Sequence, residues 1–230
     1  MFTSSATWSH ARGQVWFSWV LMGIAGATDA VGFLLFAGLY VSFMSGDATQ
    51  TGVQLGQWNW FPVLKFLGAQ LLFVCGVTLG HLVLRRVHLL SSAYLLLAEG
   101  SLLAVAGSAA VALPADLRSV AVVIAFPCTV LAMGIQNAVL HQAAGTPVGT
   151  MVTGTLVRLG RTVATRLTGG PLDAWSDFGQ WLFFVGGAAL GAVGFSEVGA
   201  IAFLPSAVVA LVVAVTLLLA RPRWLEHAAE

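Results

Sequence analysis

The chain has 230 residues, of which 58% are hydrophobic and only 8% are charged. Soluble domains carry about 25% charged residues, so this composition excludes an ordinary soluble protein and predicts an integral membrane protein. A formal net charge of +1 offers no basic surface for nucleic acid. The two cysteines, Cys75 and Cys128, lie in apolar runs without metal-site spacing and are interpreted as inert, lipid-buried thiols.

Six apolar segments are long enough to cross a hydrocarbon core, which takes about 20 residues for a thickness of about 30 Å. They predict transmembrane helices, because a helix satisfies its own backbone hydrogen bonds in lipid. The first is too long for the core of a signal peptide and is interpreted as a retained span. The predicted spans are residues 15–40, 61–84, 89–113, 120–140, 178–195 and 200–220.

A stretch in the first span and the turn after it has the sequence GATDAVGFLLFAGLYVSFMSGDATQTG, at residues 26–52. It reappears at residues 134–160 as GIQNAVLHQAAGTPVGTMVTGTLVRLG, aligned without a gap at a shift of 108 positions. Such self-similarity predicts two structural repeats in one membrane domain, residues 1–230, with halves at 15–113 and 120–220. The matched pairs are Gly26 with Gly134, Asp29 with Asn137, Ala30 with Ala138, Val31 with Val139, Ser42 with Thr150, Ser45 with Thr153, Gly46 with Gly154, and Gly52 with Gly160.

The orientation of the repeats follows from the number of spans and from the basic residues. Three spans per repeat force the second copy to enter the membrane from the opposite side, so the predicted fold is all-α with a 3+3 inverted-topology repeat. Gly76 and Gly80 of span 2 align with Gly187 and Gly191 of span 5, which predicts glycine faces for close packing and permits a homodimer. Eight of the ten basic residues fall on the side of the N-terminus, which predicts cytoplasmic termini in a bacterial inner membrane.

Polar residues in spans 1 and 4 are the predicted solute site. Span 1 is roughly 39 Å long if it is helical throughout, so it has to tilt, kink or break. Broken helices at the midplane are how many inverted-repeat transporters bind solute, and spans 1 and 4 are predicted to be broken or kinked in this way. A glycine-rich packing face with one acid is the alternative. The site residues predicted in these spans are Thr28, Asp29, Gln136 and Asn137.

Glu99 is a second acid within an apolar span, in the sequence LLLAEGSLLAV. Hydrocarbon disfavours an ionised carboxylate, so Asp29 and Glu99 are predicted to take part in proton coupling. The alternative for Glu99 is a neutral acid that hydrogen-bonds a neighbouring helix.

The turns at residues 42–51 and 146–155 combine glycine with hydroxyl groups and are interpreted as the starts of short helices. Exposed N–H groups at such starts, together with the hydroxyls, suit a polar solute, although helix capping alone remains the alternative. The predicted ligands or gates are Ser45, Gly46, Asp47, Thr150, Thr153 and Gly154.

Arg158, Arg161 and Arg166 alternate with apolar residues and predict an interfacial helix that touches anionic lipid. His81, His88 and His141 lack metal-ligand spacing and are interpreted as solitary polar residues. The sequence contains no hydrolase or P-loop motif, and it predicts neither an enzyme nor a metal or cofactor site.

Two paired motifs carry a family resemblance: GATDAVGFL followed by SFMSGD, and MGIQNA followed by TMVTGTL. They resemble the YoaK family of bacterial membrane proteins of unknown function over nearly the whole chain. The resemblance implies a six-helix inner-membrane protein without an established activity.

The leading hypothesis for function is a secondary transporter of a small polar solute, working by alternating access about a midplane site, with proton coupling as an additional hypothesis. A passive channel would share the same architecture and differ in kinetics. A non-transporting scaffold, in which the polar midplane fixes helix packing, is the third reading, and a membrane-embedded enzyme is the least favoured.

Overall fold

Helices form nearly all of the chain that the computed structural model describes, which is residues 5–86, 90–113, 118–144, 152–171 and 174–220. The prediction of an all-α membrane protein is confirmed for these ranges. The helices are α1 (Ser5–Leu35), α2 (Met44–Gly56), α3 (Trp60–Arg86), α4 (Ser91–Ala112), α5 (Arg118–Ala144), α6 (Val152–Leu167), α7 (Trp175–Val198) and α8 (Phe203–Ala220), with a short 3-10 helix (Gly199–Ala202) before α8.

The long helices are apolar on nearly all sides, as helices in a membrane are. Helix α8 contains only two polar side chains, Ser206 and Thr216. Its Leu219 is 81% exposed, whereas its Phe203 is fully buried, so one side faces lipid and the other faces protein. Helix α6 differs, because it has an apolar face and a polar face, as expected for a helix at a membrane surface.

Five stretches of the described chain are long and apolar enough to span a membrane. The fifth is 46 residues long and contains α7, the 3-10 helix and α8. The number of crossings, the inverted repeat and the two halves at 15–113 and 120–220 therefore remain predictions. The five stretches are Gly13–Leu35, Trp60–Arg86, Ser91–Ala109, Ser119–Gln142 and Trp175–Ala220.

Spans 1 and 4 were predicted to be broken or kinked, and the break is wrong, whereas a kink remains a prediction. Helix α1 continues without interruption through Gly26, Asp29 and Gly32, and α5 continues through Pro127. The first span is nevertheless shorter than predicted, because α1 ends at Leu35 rather than at residue 40. Ala37 and Gly38 then adopt positive φ angles of 50° and 81°, which end the helix and turn the chain.

Glycines bring α1 and α7 into backbone contact. A β-carbon at Gly187 would collide with the carbonyl group of Gly23, and one at Gly191 would collide with that of Ala27. A β-carbon at Gly26 would collide with the carbonyl group of Phe184. Because the residue numbers rise together on both helices, α1 and α7 are parallel.

Helices α3 and α5 form a second parallel pair of the same kind. A β-carbon at Gly76 would lie 2.6 Å from the carbonyl oxygen of Leu131, and one at Gly80 would lie 2.6 Å from the β-carbon of Ala138. The glycine faces of α3 and α7 are thus occupied within the chain by α5 and α1. The homodimer that these faces were expected to permit remains a prediction, and it would need another surface.

Helix α4 packs against both α5 and α8. The Ser92 hydroxyl donates a hydrogen bond of 3.1 Å to the side-chain oxygen of Gln142, which fixes the register of α4 on α5. Gly100 and Gly107 of α4 allow close contact with Leu211 and Leu204 of α8. Helices α1, α4, α5 and α8 together enclose the centre of the molecule.

Candidate functional site

The carboxylate of Asp29 binds the loop that follows its own helix. Its Oδ1 accepts hydrogen bonds of 2.8 Å from the backbone N–H groups of Val41 and Ser42. Its Oδ2 accepts a hydrogen bond of 2.5 Å from the Ser42 hydroxyl. Residues 41 and 42 thus return to the level of Asp29, roughly 9 Å below the end of α1 at 1.5 Å per residue. The loop 36–43 therefore folds back along α1 to the level of Asp29, which lies within a candidate span.

Asp47, in the first turn of α2, holds the same loop from the other side. Its Oδ1 accepts a hydrogen bond of 3.1 Å from the backbone N–H of Tyr40. Asp29 and Asp47 together receive the N–H groups of three consecutive residues at the tip of the loop. Lys65 of α3 completes the support by donating hydrogen bonds of 3.1 Å and 3.2 Å to the carbonyl oxygens of Phe36 and Ala37.

Asp47 itself is fully buried, and its Oδ2 has no hydrogen-bond partner among the described residues. It lies outside the five candidate spans. Burial raises the pKa of Asp47 from 3.8 to about 7, against the lowering effect of the Tyr40 hydrogen bond. The nearby Asp29 adds a further upward shift to this pKa. Asp47 can therefore gain or lose a proton near neutral pH.

Helix α2 begins at Met44, so Ser45, Gly46 and Asp47 lie in its first turn, as the sequence predicted. The Ser45 side chain is exposed, and Gly46 packs against the rings of Phe43 and Tyr40. No side chain caps the N-terminus of α2 with a hydrogen bond. The capping interpretation is therefore wrong for α2.

A groove of about 480 Å³ lies between α1, α6 and α7. Asp29 lines it from α1, Phe43 from the residue before α2, and Thr153 from the first turn of α6. The structure thus brings Asp29 and Thr153, two of the predicted site residues, to one groove. The residue that precedes α2, Phe43, and the first turn of α6 therefore border one groove. The sequence had predicted the two turns on opposite sides of the membrane, and this placement stays a prediction.

A second polar cluster lies further along α6. Arg158 forms a 2.6 Å ion pair with Asp177 through Nε, and its Nη2 donates to Thr155 at 3.1 Å and to Gln180 at 3.3 Å. Thr155 is the residue that aligns with Asp47 in the repeat. The guanidinium of Arg158 is therefore engaged with protein groups, whereas Arg161 and Arg166 are exposed.

Three polar side chains are fully buried in the helix core with unpaired atoms: Thr28, Glu99 and Gln136. The amide nitrogen of Gln136 donates a 2.6 Å hydrogen bond to the carbonyl oxygen of Leu21, but its Oε1 has no partner among the described residues. The two carboxyl oxygens of Glu99 and the hydroxyl of Thr28 also lack a hydrogen-bond partner among the described residues. Buried polar atoms without partners are rare, and a bound water molecule, a bound ion or a functional role would each account for them.

The remaining predicted residues are less well defined by the structure. Asn137 is half-buried and has a partner, and its expected position facing Asp29 stays a prediction. Gly154 is half-buried in the first turn of α6. Thr150 and His88 lie outside the described residues. His81 and His141 were interpreted as solitary, but their rings lie 5.5 Å apart.

Sequence reasoning missed several residues that support the site. Lys65 and Gln70 of α3 hold the loop and α2, the latter through a 3.0 Å hydrogen bond to Thr51. Asp177 and Gln180 of α7 hold Arg158. These are polar residues within or beside apolar spans, which is the signal that would have identified them.

Within the described residues, no group of three or more His, Cys, Asp or Glu side chains is arranged to hold a metal ion. Cys75 is exposed and Cys128 is half-buried, and both are free thiols. The site therefore consists of carboxyl, amide and hydroxyl groups, which bind polar solutes, cations or protons.

These features define a multi-pass, all-α integral membrane protein with buried polar groups. Residues 17–216 match the family model described as Protein of unknown function (DUF1275), and the chain belongs to this family.

A bacterial relative supports the membrane location. The chain is 34% identical over 204 residues to UPF0700 transmembrane protein RA0705 of Rhizobium meliloti (strain 1021), covering 87% of this chain and 84% of that one. No solved structure matches. Membership of a membrane protein family of unknown function is thus confirmed, whereas the YoaK resemblance and the inner-membrane location remain predictions.

Proposed function

We propose that this protein is a secondary transporter of a small polar solute, built as a 3+3 inverted repeat of six spans. The matched packing of two helix pairs is the observation that carries the proposal, and a buried loop that folds back along α1 to the level of Asp29 supports it. The proposal also includes cytoplasmic termini in a bacterial inner membrane, because the basic residues are biased to that side.

Six spans follow if the segment Trp175–Ala220 crosses the membrane twice. A straight helix of 46 residues would be roughly 69 Å long, more than twice the hydrocarbon thickness. The chain also reverses, because a β-carbon at Gly194 would lie 3.3 Å from the β-carbon of Ala202. Gly199, with a φ of 61°, lies at this turn.

The inverted repeat is supported by equivalent backbone contacts in the two parallel helix pairs. On α1 and α7, a β-carbon at Gly26 would meet the carbonyl oxygen of Phe184 and the amide nitrogen of Ala188. On α5 and α3, one at Gly134 would meet the corresponding atoms of Phe73 and Val77. The shifts are 108 for the glycines and 111 for their partners, which are the shifts that align the repeated sequences.

The loop 36–43 and the starts of α2 and α6 supply the solute site in this proposal. Irregular backbone at membrane depth is tolerated where it is buried in protein or lines a cavity. Here it is buried, since Leu39 and Val41 are fully inaccessible, and it borders the groove that Asp29 and Thr153 line. Thr28, Gln136 and Asn137 line the path between the halves, and Asp29 and Glu99 carry protons.

Alternating access would arise from movement of the α1–α7 pair against the α3–α5 pair. Each pair is held rigid by glycine contacts between its backbones. Helix α1 also packs against α5, where the side chain of Gln136 donates a hydrogen bond to the carbonyl oxygen of Leu21. Rocking about a fixed site requires that two rigid units, here the α1–α7 pair and the α3–α5 pair, are only loosely packed against each other.

A scaffold is the second candidate, favoured by the hydrogen bonds of Asp29. Both carboxylate oxygens of Asp29 are engaged by its own loop, as a purely structural acid would be. In this reading the polar groups fix the packing of the helices and bind no solute. A passive channel would share the fold and would differ only in its kinetics.

The proposal is tested by flux. A thermal-shift screen of amino acids, amides and sugars on purified protein identifies a stabilising solute, because a ligand of the native state raises the melting temperature. Its radiolabelled form is then taken up into proteoliposomes with and without an imposed pH gradient. The variants are Asp29→Asn and a matched control, Glu197→Gln, whose acid is exposed at the end of α7.

We expect saturable uptake that responds to the pH gradient, is reduced in Asp29→Asn and is retained in Glu197→Gln. Uptake that never saturates and ignores the pH gradient would favour the channel. No uptake by any solute, combined with a lower melting temperature for Asp29→Asn, would favour the scaffold.

A further inference from the structure

Glu99 and Gln136 lie at one depth in the helix core. The Ser92–Gln142 hydrogen bond aligns α4 with the antiparallel α5. Glu99 is seven residues beyond Ser92, and Gln136 is six residues before Gln142. At 1.5 Å per residue, their depths differ by about 1.5 Å. Glu99 also lies on the face of α4 that Ser92 presents to α5, because residues seven apart share a helix face.

Both side chains end in oxygen atoms without partners in a closed environment. Glu99 and Gln136 are each 0% exposed, and the unpaired atoms are both carboxyl oxygens of Glu99 and the Oε1 of Gln136. The amide nitrogen of Gln136 is already used by Leu21, which fixes the amide and leaves its oxygen as an acceptor. The core thus holds three unpaired oxygen atoms at one level.

An ionised Glu99 would have no cationic partner in the described part of the molecule. Helices α4 and α8 contain no Lys or Arg. On α3, Lys65 is bound to the loop 36–43 and Arg85 and Arg86 are exposed in the last turn. Arg118 is the first residue of α5, 18 residues before Gln136 and thus about 27 Å away along the helix. The other titratable groups on helices packed against α4 are Cys75, His81, Cys128 and His141, and α8 and the 3-10 helix carry none.

An unpaired charge in such a place is strongly disfavoured, so the carboxylate requires a cation from outside the protein. The simplest cation is a proton, which makes Glu99 a hydrogen-bond donor toward the Gln136 oxygen. Oxygen atoms from a carboxylate and an amide equally suit a small monovalent cation, either an alkali ion or an ammonium group.

We propose that Glu99 and Gln136 form an exchange site in which a proton and a small monovalent cation replace each other. The cation binds the carboxylate of Glu99 and the Oε1 of Gln136, and the carboxyl proton leaves to water, so the charge of the site is unchanged. The physiological role of this site rests on the proposed transport function, for which the exchanged cation would be the coupling ion. It places the exchange at Glu99, whose oxygens are unpaired, and leaves Asp29 the proton-carrying role proposed above.

Infrared difference spectroscopy of purified protein in detergent tests the site without any transport. The C=O stretching band of a protonated carboxylic acid is recorded at neutral pH while NaCl or methylammonium chloride is added, with choline chloride as the control salt. A pH dye in weakly buffered solution records the protons released. Parent protein, Glu99→Gln, Gln136→Leu and Glu197→Gln are compared, after gel filtration confirms that each is folded.

We expect Na⁺ or methylammonium to remove the protonated-acid band and to release about one proton per chain. The signal is lost in Glu99→Gln and retained in Glu197→Gln. Loss of the Gln136 oxygen raises the cation concentration for half-release about tenfold, the effect of losing about 1.4 kcal/mol of binding. The response to each salt separates an alkali ion from an ammonium group.

A band that neither salt alters, or a salt-dependent loss of band intensity that persists in Glu99→Gln, would overturn the inference. If proteoliposomes take up a solute but the protonated-acid band does not respond to either cation, the transport proposal is supported and the exchange site is rejected. The opposite result, a Glu99-dependent release of protons without any flux, would support the exchange site and count against transport.

Discussion

Gly26 on α1 lies so close to the carbonyl group of Phe184 on α7 that any β-carbon there would collide with the backbone of the second helix. A β-carbon at Gly134 on α5 would likewise collide with the carbonyl oxygen of Phe73 on α3. The obstacle in both places is backbone, which cannot rotate away as a flexible side chain can. Both helix pairs therefore depend on glycine at these positions.

The first prediction concerns alanine at these two glycines. We expect Gly26→Ala and Gly134→Ala each to lower the free energy of unfolding by about 1–3 kcal/mol, the usual cost of overpacking. Thermal unfolding in detergent measures the effect. Gly186→Ala and Gly68→Ala are matched controls on α7 and α3, because a β-carbon there would meet no atom within 4 Å. Equal melting temperatures for all four variants would contradict the prediction.

The second prediction concerns the loop held by Asp29. Asp29→Ala removes the acceptor for the backbone N–H groups of Val41 and Ser42, and each buried donor left unpaired costs about 1–3 kcal/mol. We expect faster hydrogen–deuterium exchange in peptides covering residues 36–46. Thr49→Ala is the control, since its exposed hydroxyl bonds only within α2. Exchange that is unchanged in Asp29→Ala would show that the loop does not depend on this acid.

The third prediction concerns the pH dependence of stability that Asp47 produces. Burial raises the pKa of Asp47 to about 7 in the folded protein, while the unfolded chain keeps the ordinary value of 3.8. Between these values the folded state binds more protons than the unfolded state, so stability falls as pH rises through this window and levels off above it. Asp47→Asn keeps the acceptor for Tyr40 and removes the titration.

Melting temperatures in detergent across the same pH range check this prediction. We expect the melting temperature of Asp47→Asn to depend less on pH than that of the parent protein, and Glu197→Gln to behave as the parent does. A parent protein that becomes more stable between pH 4 and 7, with Asp47→Asn identical to it, would contradict the assignment.

The helices could be predicted from the sequence because the length and apolar character of a span are dictated by the membrane itself. Their ends could not always be predicted. The first span was expected to reach residue 40, because residues 36–41 remain apolar, yet α1 ends at Leu35. Leu39 and Val41 are apolar because their loop is buried inside the protein, and hydropathy does not distinguish that from a helix in lipid.

The partners of the polar residues were harder to predict than the residues themselves. Asp29 and Glu99 were identified because an acid in an apolar span is unusual. That Asp29 binds residues 12 and 13 positions later depends on the path of a loop, which no periodic pattern encodes. Arg158 was predicted to contact lipid from the pattern of its helix, and this contact remains a prediction. Its ion pair with Asp177 could not be predicted, because it depends on how α7 packs against α6.

The fourth prediction separates the three arginines of α6. Because Arg158 is paired with Asp177 while Arg161 and Arg166 are exposed, we expect only the latter two to bind anionic lipid. Phosphatidylglycerol added to protein in detergent should raise the melting temperature of the parent and of Arg158→Gln. The same lipid should raise the melting temperature of the double variant Arg161→Gln/Arg166→Gln by a smaller amount. Phosphatidylcholine is the control lipid.

Loss of the Arg158–Asp177 ion pair should change the stability of the protein only slightly. The Arg158 and Asp177 side chains are 31% and 16% exposed, and partly exposed pairs contribute about 1 kcal/mol or less. Arg158→Gln should therefore lower stability slightly while it preserves the response to lipid. An Arg158→Gln protein that no longer responds to phosphatidylglycerol would reverse the assignment.

The fifth prediction concerns the number of membrane crossings. If Trp175–Ala220 crosses twice, the chain crosses six times and both termini lie on one side. If it crosses once, five crossings place the termini on opposite sides. The reversal between Gly194 and Ala202 favours two crossings.

Single cysteines in a Cys75→Ser/Cys128→Ser background test the number of crossings with a membrane-impermeant maleimide on intact cells. We expect Ser196→Cys and Asn59→Cys to be labelled from outside. Thr168→Cys and a cysteine appended to the C-terminus should react only after the membrane is permeabilised. External labelling of both Asn59→Cys and the C-terminal cysteine would rule out six spans, and the inverted repeat with them.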